Sequence, residues 1–138
     1  MSAAGIQYQD TREISLADIL DLYQANGWSS AEKPAELHKA LVGSHSLVSA
    51  WDGGRLVGLG NAISDGHLVV YYPHMLVHPE YQGRGIGTQL MRMLLAKYKG
   101  FHQQMLVADG RAIEFYKKCG FKRAGQTEPM WIYAGQEH

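Results

Sequence analysis

Three glycines stand at alternate positions within residues 83–87, between a strand-like run that ends at Pro79 and a helix-like run with leucines on one side. Glycine serves where the backbone needs a positive φ or where another group must approach it closely. A glycine turn that opens a helix leaves several N–H groups without intrahelical partners, and the helix dipole adds positive potential there. The stretch VHPEYQGRGIGTQL therefore predicts a strand, a turn and a helix that together bind an anion such as a phosphate.

The totals of the chain indicate an ordinary globular protein. Its 138 residues are enough for one sizeable core, and we expect residues 1–138 to form a single domain. Thirteen basic and thirteen acidic residues cancel, so no overall field favours nucleic acid or an acidic membrane. We find no signal peptide or spanning run, and the single cysteine, Cys119, fits a reducing compartment. These features predict a cytoplasmic protein.

The first half of the chain predicts two helices and a strand meander. Apolar periodicity indicates helices over residues 16–26 and 34–43. Two strands, 46–51 and 55–63, are joined by an Asp-Gly hairpin turn. A third strand, rich in β-branched and aromatic residues, is predicted over 67–78.

The second half alternates helices and strands. A helix over 87–99 follows the glycine turn, and then come a strand over 103–108 and a helix over 110–119. One or two closing strands are expected within 121–133. A strand–helix–strand unit requires a parallel pair, whereas a meander is antiparallel, so the class is α/β with a mixed sheet.

Pro73 interrupts the third strand of the meander. Proline cannot donate to a strand ladder, so a central strand should bulge or lose pairing there. Main-chain groups of Met75, Leu76 and Val77 would then be free to bind an extended ligand. The alternative is that this strand lies at the edge of the sheet.

Two stretches of the sequence resemble the signatures of a known family. Residues 82–87, QGRGIG, have the form Gln-x-x-Gly-x-Gly and resemble the pyrophosphate loop of the GNAT superfamily of acetyl-coenzyme A-dependent N-acetyltransferases. Residues 112–121, AIEFYKKCGF, resemble its second signature, Ala-x-x-Phe-Tyr-x-x-x-Gly-Phe. The resemblance covers nearly the whole chain. It implies a GNAT-like fold: a mixed, mostly antiparallel sheet with a splayed central strand and helices on both faces.

Within the superfamily, the chain is most similar to plant-type serotonin N-acetyltransferases and their small bacterial relatives. Many superfamily members have Asn where this chain has Asp109, so the superfamily at large does not define the role of that residue. The stretches that carry the closer likeness are Asp21-Leu22-Tyr23 with Gly27-Trp28, Ala108-Asp109 leading into Glu114-Phe115-Tyr116, and Met130-Trp131-x-Tyr133.

The resemblance implies acetyl-coenzyme A as co-substrate and assigns residues to it. Main-chain N–H groups of the glycine loop would hold the pyrophosphate, and the strand after Pro73 would pair with the pantetheine arm as an added β-strand. The implied residues are Gln82, Gly83, Arg84, Gly85, Ile86, Gly87 and Thr88 in the loop and Met75, Leu76 and Val77 in the strand.

Tyr116 and Asp109 are the candidate catalytic residues. In the family, the tyrosine of the second signature lies near the thioester sulfur and can protonate the departing thiolate, so the resemblance implies this role for Tyr116. A structural hydroxyl in the core is the alternative. Asp109 is a candidate general base, acting directly or through water, but Asp is also a preferred helix N-cap. The sequence leaves both roles of Asp109 open.

Aromatic residues are the candidate contacts for the amine. Trp28, Tyr71 and Tyr72 could bind an arylalkylamine such as serotonin or tryptamine. Aromatic faces also attract the ammonium groups of aliphatic polyamines. An amine of a protein or peptide is a further alternative, and a non-catalytic acyl-coenzyme A-binding module is another.

We predict no metal site, and we predict a second copy of the chain as the protein partner. His74 and His78 would share one face of a strand, but no third ligand is placed near them, so we expect no metal site. We expect a homodimer because many relatives of this size form one. Trp131, Tyr133 and the closing strands would supply its contact surface.

Overall fold

A computed structural model describes residues 5–135 and contains six strands and four α-helices within that range. Two short 3-10 turns, Ser29–Glu32 and Pro79–Tyr81, lie between these elements. None of the described helices is both long and apolar enough to cross a membrane. The strands are β1 (Ile6–Gln9), β2 (Ser46–Asp52), β3 (Arg55–Ser64), β4 (Val69–Tyr71), β5 (Met75–Val77) and β6 (Gln103–Met105); the helices are α1 (Leu16–Ala25), α2 (Pro34–Val42), α3 (Ile86–Lys97) and α4 (Ala112–Lys118).

The strands form one mixed sheet in the order β1-β2-β3-β4-β6, with β5 also paired to β3. Pairing is antiparallel except between β4 and β6, which are parallel. The predicted α/β class with a mixed, mostly antiparallel sheet is therefore confirmed. The parallel pair arises because α3 connects the meander to β6, as the crossover rule requires.

The predicted third strand is two strands, and the break falls at Pro73. β4 pairs with the far end of β3, where Ile63 lies opposite Tyr71, whereas β5 pairs with the middle of β3. β4 has neighbours on both edges, so the edge-strand alternative does not apply to it. The strands β3, β4 and β6 are therefore continuously paired, whereas β5 pairs with β3 alone. The sheet splits between β4 and β5.

Asn61 on β3 bridges this break with its main chain and its side chain. Its N–H donates to the His74 carbonyl at 3.1 Å, and its side-chain Oδ1 accepts from the His74 N–H at 3.0 Å. The amide nitrogen donates to Ser44 Oγ at 3.0 Å, and Ser44 Oγ in turn donates to the Ala40 carbonyl. This buried chain of hydrogen bonds fixes the break to the end of α2.

Helices cover both faces of the sheet, as expected. α1 and α2 pack on one face over Leu47, Leu56 and Leu59. α3 packs on the other face, where a Cβ at Gly58 would lie 3.0 Å from Leu90 Cδ1. The absence of a side chain at this position lets the helix axis approach the sheet, which brings the start of α3 close to β5.

Some predicted bounds are wrong at the ends of elements. β6 stops at Met105 rather than 108. The Tyr72 N–H donates to the Met105 carbonyl, but the next donor of a parallel ladder would be His74, whose N–H donates to Asn61 Oδ1 instead. β1 has no counterpart among the predicted strands. The closing strands expected within 121–133 are absent: that stretch has no assigned strand, and residues 122–135 are exposed.

Candidate active site

The outer edge of β5 faces the gap in the sheet. Main-chain hydrogen bonds of 3.1 and 2.8 Å join the two residues that flank β5 to β3. Because bonded and non-bonded positions alternate in an antiparallel pair, Met75 and Val77 direct their N–H and C=O groups away from β3. Leu76 instead bonds toward β3 and is buried at 4% exposure among the residues under α1 and α2. The edge therefore offers main-chain donors and acceptors to an extended ligand.

Gln82 ties this edge to the glycine loop. Its side-chain Nε2 donates to the Val77 carbonyl at 3.0 Å. The loop thus begins at a fixed distance from the end of β5. The main-chain groups of β5 and those of the loop form one continuous polar line.

The glycine loop has the geometry of an anion cradle. Gly83 and Gly85 have φ of 79° and 83°, a conformation that residues with a Cβ rarely adopt. A Cβ built on either glycine would meet no atom within 4 Å, so open space lies over both. α3 starts at Ile86 with neither a side-chain cap nor an acidic residue in its first turn. The N–H groups of residues 86–88 therefore lack intrahelical partners, which suits a pyrophosphate.

Gly87 has a different role from the other two glycines. A Cβ there would lie 3.3 Å from Phe115 Cζ and 3.7 Å from Val77 Cγ2. Its missing side chain makes room for α4 to pack against the first turn of α3. Residues from the two sequence signatures therefore meet at this contact.

Arg84 extends from the loop over a neighbouring ring. Its guanidinium carbon lies 5.0 Å from the centroid of Tyr81, within the range of a cation–π contact. Tyr81 is itself held in place by a hydrogen bond from its hydroxyl to Asp52. The arginine is half-buried, so its charge stays beside the loop.

Tyr116 lies on α4 with its ring packed and its hydroxyl open. The ring contacts Phe115 and Phe121, with centroids 5.0 and 6.0 Å away. The hydroxyl has no hydrogen-bond partner among the described residues, and no buried polar atom there lacks one, so solvent reaches this oxygen. Burial of the ring, with a smaller contribution from Cys119, raises the pKa of Tyr116 to about 12. The phenol therefore keeps its proton at neutral pH.

Asp109 is exposed and does not cap α4. The helix begins at Ala112, the cap position belongs to Arg111, and no side chain there makes a capping hydrogen bond. The main-chain carbonyl of Asp109 instead accepts from the Ala112 N–H at 3.0 Å. The sequence left open a role for Asp109 as the N-cap of α4, and this prediction is wrong. Asp109 also lies outside the helix that carries Tyr116, so helical spacing does not align the two.

Trp28 belongs to a cluster of three rings at the break in the sheet. It packs edge-on against Tyr23 and His74, with centroids 5.6 and 5.3 Å away. The Tyr23 hydroxyl lies 2.7 Å from His74 Nδ1, and burial raises the pKa of that hydroxyl. Sequence analysis assigned no site role to Tyr23 or His74. No local signal could have paired them, because 51 residues separate them.

The two strand tyrosines are in different environments. Tyr72 is 4% exposed, packs against Tyr98 and Phe121, and donates from its hydroxyl to Gln104 Oε1 at 2.6 Å. It therefore belongs to the core, and the structure does not bring it to the cleft as expected for a substrate contact. Tyr71 is 42% exposed and points to the opposite face from Tyr72, as alternate strand residues do.

His78 has a structural role. It is buried, and its Nδ1 accepts a hydrogen bond from the Glu80 N–H at 3.1 Å, which caps the short turn before the glycine loop. Within residues 5–135, no group of three or more His, Cys, Asp or Glu residues could hold a metal ion.

A sequence profile described as the acetyltransferase (GNAT) family matches residues 14–121, which include the break in the sheet, the glycine loop and α4. The chain belongs to the GNAT family. Its sheet, with the splayed strand and helices on both faces, is the fold of that family, and the family is one of acyltransferase enzymes.

Relatives with similar sequences agree with this membership. The chain is 31% identical to a protein of Prochlorococcus marinus named an uncharacterized ycf52-like N-acetyltransferase, over 83% of this chain and 66% of that protein. It is 35% identical to the N-alpha-acetyltransferase RimI of Mycobacterium tuberculosis, over 75% of this chain and 70% of that protein. The chain thus spans about two thirds of the length of these relatives.

A solved structure gives the same assignment over nearly the full length. A GNAT family acetyltransferase of Streptococcus pneumoniae superposes with a TM-score of 0.81 at 32% identity, covering 94% of this chain and 98% of that one. None of the relatives named here carries an arylalkylamine in its name, so the expected closeness to serotonin N-acetyltransferases gains no support from them.

Proposed function

We propose that this GNAT protein transfers an acetyl group from acetyl-coenzyme A to a primary amine. The observation that carries the proposal is the continuous line of main-chain groups along Met75 and Val77, joined by Gln82 to the glycine loop. Amide groups of a pantetheine arm match the free edge of β5, and a pyrophosphate matches the N–H groups at the start of α3. The residues present therefore fit the co-substrate.

The co-substrate supplies an acyl thioester, and the chain supplies binding, orientation and proton transfer. A primary amine with a pKa near 10.4 is neutral in only about one molecule in 2,500 at pH 7, which costs roughly 4.6 kcal/mol if the site does nothing. A group on the protein must therefore accept a proton. Asp109 is our candidate for this base, acting through water because its carboxylate is exposed.

Tyr116 is our candidate for the group that faces the sulfur. The Tyr116 hydroxyl is accessible to solvent. Tyr116 lies on α4, and Phe115 of the same helix packs against the start of α3. A phenol that stays protonated can donate to a developing thiolate. Main-chain N–H groups on the free edge of β5 would stabilise negative charge on the thioester oxygen.

For the amine, we propose a small primary amine that binds beside the Trp28 ring cluster. An arylalkylamine fits the aromatic surroundings of Trp28, and Tyr71 is the second aromatic candidate. An N-terminal amine of a peptide is the second candidate substrate, because RimI, a relative 35% identical over 75% of this chain, is named an N-alpha-acetyltransferase.

The free thiol of Cys119 fits a cytoplasmic location.

Acetyl-coenzyme A is expected to raise the melting temperature, because a ligand at 100 times its Kd stabilises a fold by about 2.7 kcal/mol. The shift is measured by thermal unfolding with acetyl-coenzyme A and, as a control, with acetate. Turnover is then measured as release of free thiol with tryptamine, spermidine and a short peptide. A shift without turnover on any amine would favour a non-catalytic acyl-coenzyme A-binding module, and the absence of both would contradict the proposal.

Asp109→Asn tests the base. Because Asp109 does not cap α4, we expect the melting temperature to be unchanged, whereas turnover should fall about 10²-fold, at the low end for a general base. Asp109→Glu, which keeps a carboxylate, is the matched control and should retain more activity. Initial rates across pH with saturating acetyl-coenzyme A give the comparison. A fully active Asp109→Asn enzyme would assign the base role to ordered water instead.

A further inference from the structure

Three apolar side chains form an exposed row across the sheet beside the gap. Ile63 on β3 is paired with Tyr71 on β4, and Tyr71 is paired with Met105 on β6. Their exposed fractions are 54%, 42% and 44%. Neighbouring strands lie about 4.8 Å apart, so the row is roughly 10 Å long. We call these three residues the apolar row.

The apolar row faces the same side of the sheet as α1 and α2. Ala62 and Val70 are buried in the core beneath α3, so the residues next to them along the strands point to the opposite face. The cover that α2 gives to this face ends near Asn61, where Ser44 donates and accepts hydrogen bonds just past the helix. Ile63 lies two residues farther along β3 and is left exposed.

The apolar row borders the gap in the sheet. The Tyr72 N–H donates to the Met105 carbonyl, which is the last main-chain hydrogen bond between the β4 and β6 segments within residues 5–135. On the α3 side of this pair, four aromatic rings pack in series with centroids 5.9, 6.1 and 6.0 Å apart: Tyr98, Tyr72, Phe121 and Tyr116. Core side chains occupy that side, which leaves the side of α1 and α2 for the approach of an amine.

Apolar and aromatic groups border the gap at two places on the open side. The cluster of Tyr23, Trp28 and His74 lies at the start of β5, and the apolar row lies at the ends of β4 and β6. Neither set contains an acidic residue. The next acid along the chain after Ile63 is Asp65, whose Oδ1 accepts from three N–H groups of the following turn at 2.8, 2.8 and 3.3 Å. A second ammonium group would therefore lose water here without gaining a carboxylate partner.

We propose that the apolar row selects the amine, so that the preferred substrate is a primary amine with one uncharged apolar group, which packs on Ile63, Tyr71 and Met105. The inference rests on the proposed acetyl transfer and names the substrate class for it. Burial of apolar area on the row stabilises such an amine. Tyr71 offers an aromatic face to an ammonium group, but Ile63 and Met105 on either side of it do not. An arylalkylamine belongs to the preferred class, and a polyamine does not.

Ile63→Ser tests the row with two amines that share one reacting group, because tryptamine is ethylamine with an added indole. We expect kcat/KM for tryptamine to fall about tenfold, the low end for loss of an apolar contact in a substrate site, and kcat/KM for ethylamine to stay at the value of the parent. Leu68→Ser is the matched control, since Leu68 has the same exposed fraction of 54% but lies before β4 and outside the row. Equal losses with both amines, or an equal loss of tryptamine turnover in the control, would overturn the proposal.

Ile63→Glu tests the exclusion of polyamines. The new carboxylate would accompany a second ammonium group on the row, so the ratio of kcat/KM for spermidine to that for tryptamine should rise at least tenfold. A parent that already prefers spermidine, or an unchanged ratio in the variant, would contradict the selection by the row.

Binding is measured apart from turnover by the ε-methyl NMR signal of Met105, assigned with Met105→Leu, in the presence of coenzyme A. We expect tryptamine to shift this signal and to leave the signal of buried Met91 on α3 in place, whereas spermidine shifts neither. A Met105 signal that tryptamine does not move, or that spermidine moves as far, would overturn the proposal. Turnover of ethylamine together with the acetyl-coenzyme A melting shift tests the proposed function separately. Both of these results without a preference for tryptamine would leave acetyl transfer standing and remove the row from substrate choice.

Discussion

Tyr116→Phe is expected to lower kcat by 10²–10⁴-fold, the range of general acid–base catalysis, with little change in melting temperature. The ring keeps its contacts with Phe115 and Phe121, and the lost hydroxyl has no partner among the described residues, so stability should hold. Affinity for acetyl-coenzyme A should also hold, because the proposed binding by the loop and β5 uses main-chain groups. Only proton donation to the departing sulfur is lost.

The raised pKa of Tyr116 defines the pH dependence. A phenol with a pKa of about 12 is protonated throughout the range in which the enzyme can be assayed, so Tyr116 should produce no alkaline limb below pH 10. An ordinary thiol has a pKa near 8.5, which makes full proton transfer to its thiolate unfavourable by about 5 kcal/mol. Burial of the sulfur in the cleft would raise its own pKa and reduce this difference.

Tyr8→Phe is the matched control for this variant, because Tyr8 is a half-buried tyrosine on β1, at the other end of the sheet from β6. It should have the activity of the parent. Single-turnover rates with saturating acetyl-coenzyme A distinguish chemistry from product release. A Tyr116→Phe enzyme with the kcat of the parent would remove the tyrosine from the chemical step and leave the thiolate to depart unaided.

Gly85→Val is expected to abolish the acetyl-coenzyme A shift, a loss of about 2.7 kcal/mol at 100 times the Kd of the parent. A branched side chain at this position would project into the open space above the loop, where the pyrophosphate is proposed to bind. The φ of 83° adds backbone strain of order 1–3 kcal/mol, so the variant should also melt earlier without ligand.

Gly53→Val separates the strain from the blocked site. Gly53 also has a positive φ and open space around it, but it lies in the turn between β2 and β3. It should lose stability to a similar extent and keep the full shift with acetyl-coenzyme A. A Gly85→Val protein that binds as tightly as the parent would show that the loop is not the anion site.

The elements that the sequence predicts well are those defined by local chemistry. The helices begin and end within about two residues of their predicted bounds, because Pro34, Gly43 and the glycine loop act on their immediate neighbours. Pro73 predicts the loss of pairing for the same reason. The positive φ of Gly83 and Gly85 and the unpaired N–H groups at the start of α3 also follow from the loop sequence itself, and binding of an anion there stays a prediction.

Other features depend on residues far apart in the chain. The cluster of Tyr23, Trp28 and His74 forms only when α1 packs beside the break. The end of β6 depends on His74, a residue far earlier in the sequence whose N–H donates to Asn61 rather than to β6. Apolar residues at 130–133 indicate a strand, but a strand also needs an edge to pair with, and residues 130–133 pair with no strand of the described sheet.

Asn61 supports the break between β4 and β5 from the interior of the protein. Its side-chain amide replaces one main-chain acceptor at the point where the sheet divides, and it anchors that point to α2 through Ser44. A buried residue on β3 therefore holds the point where β4 and β5 separate. Substitutions at this support would change the width available to an amine while every residue that lines the cleft stayed the same. A substitution at buried Asn61 could thus alter the range of substrates without changing any residue that contacts them.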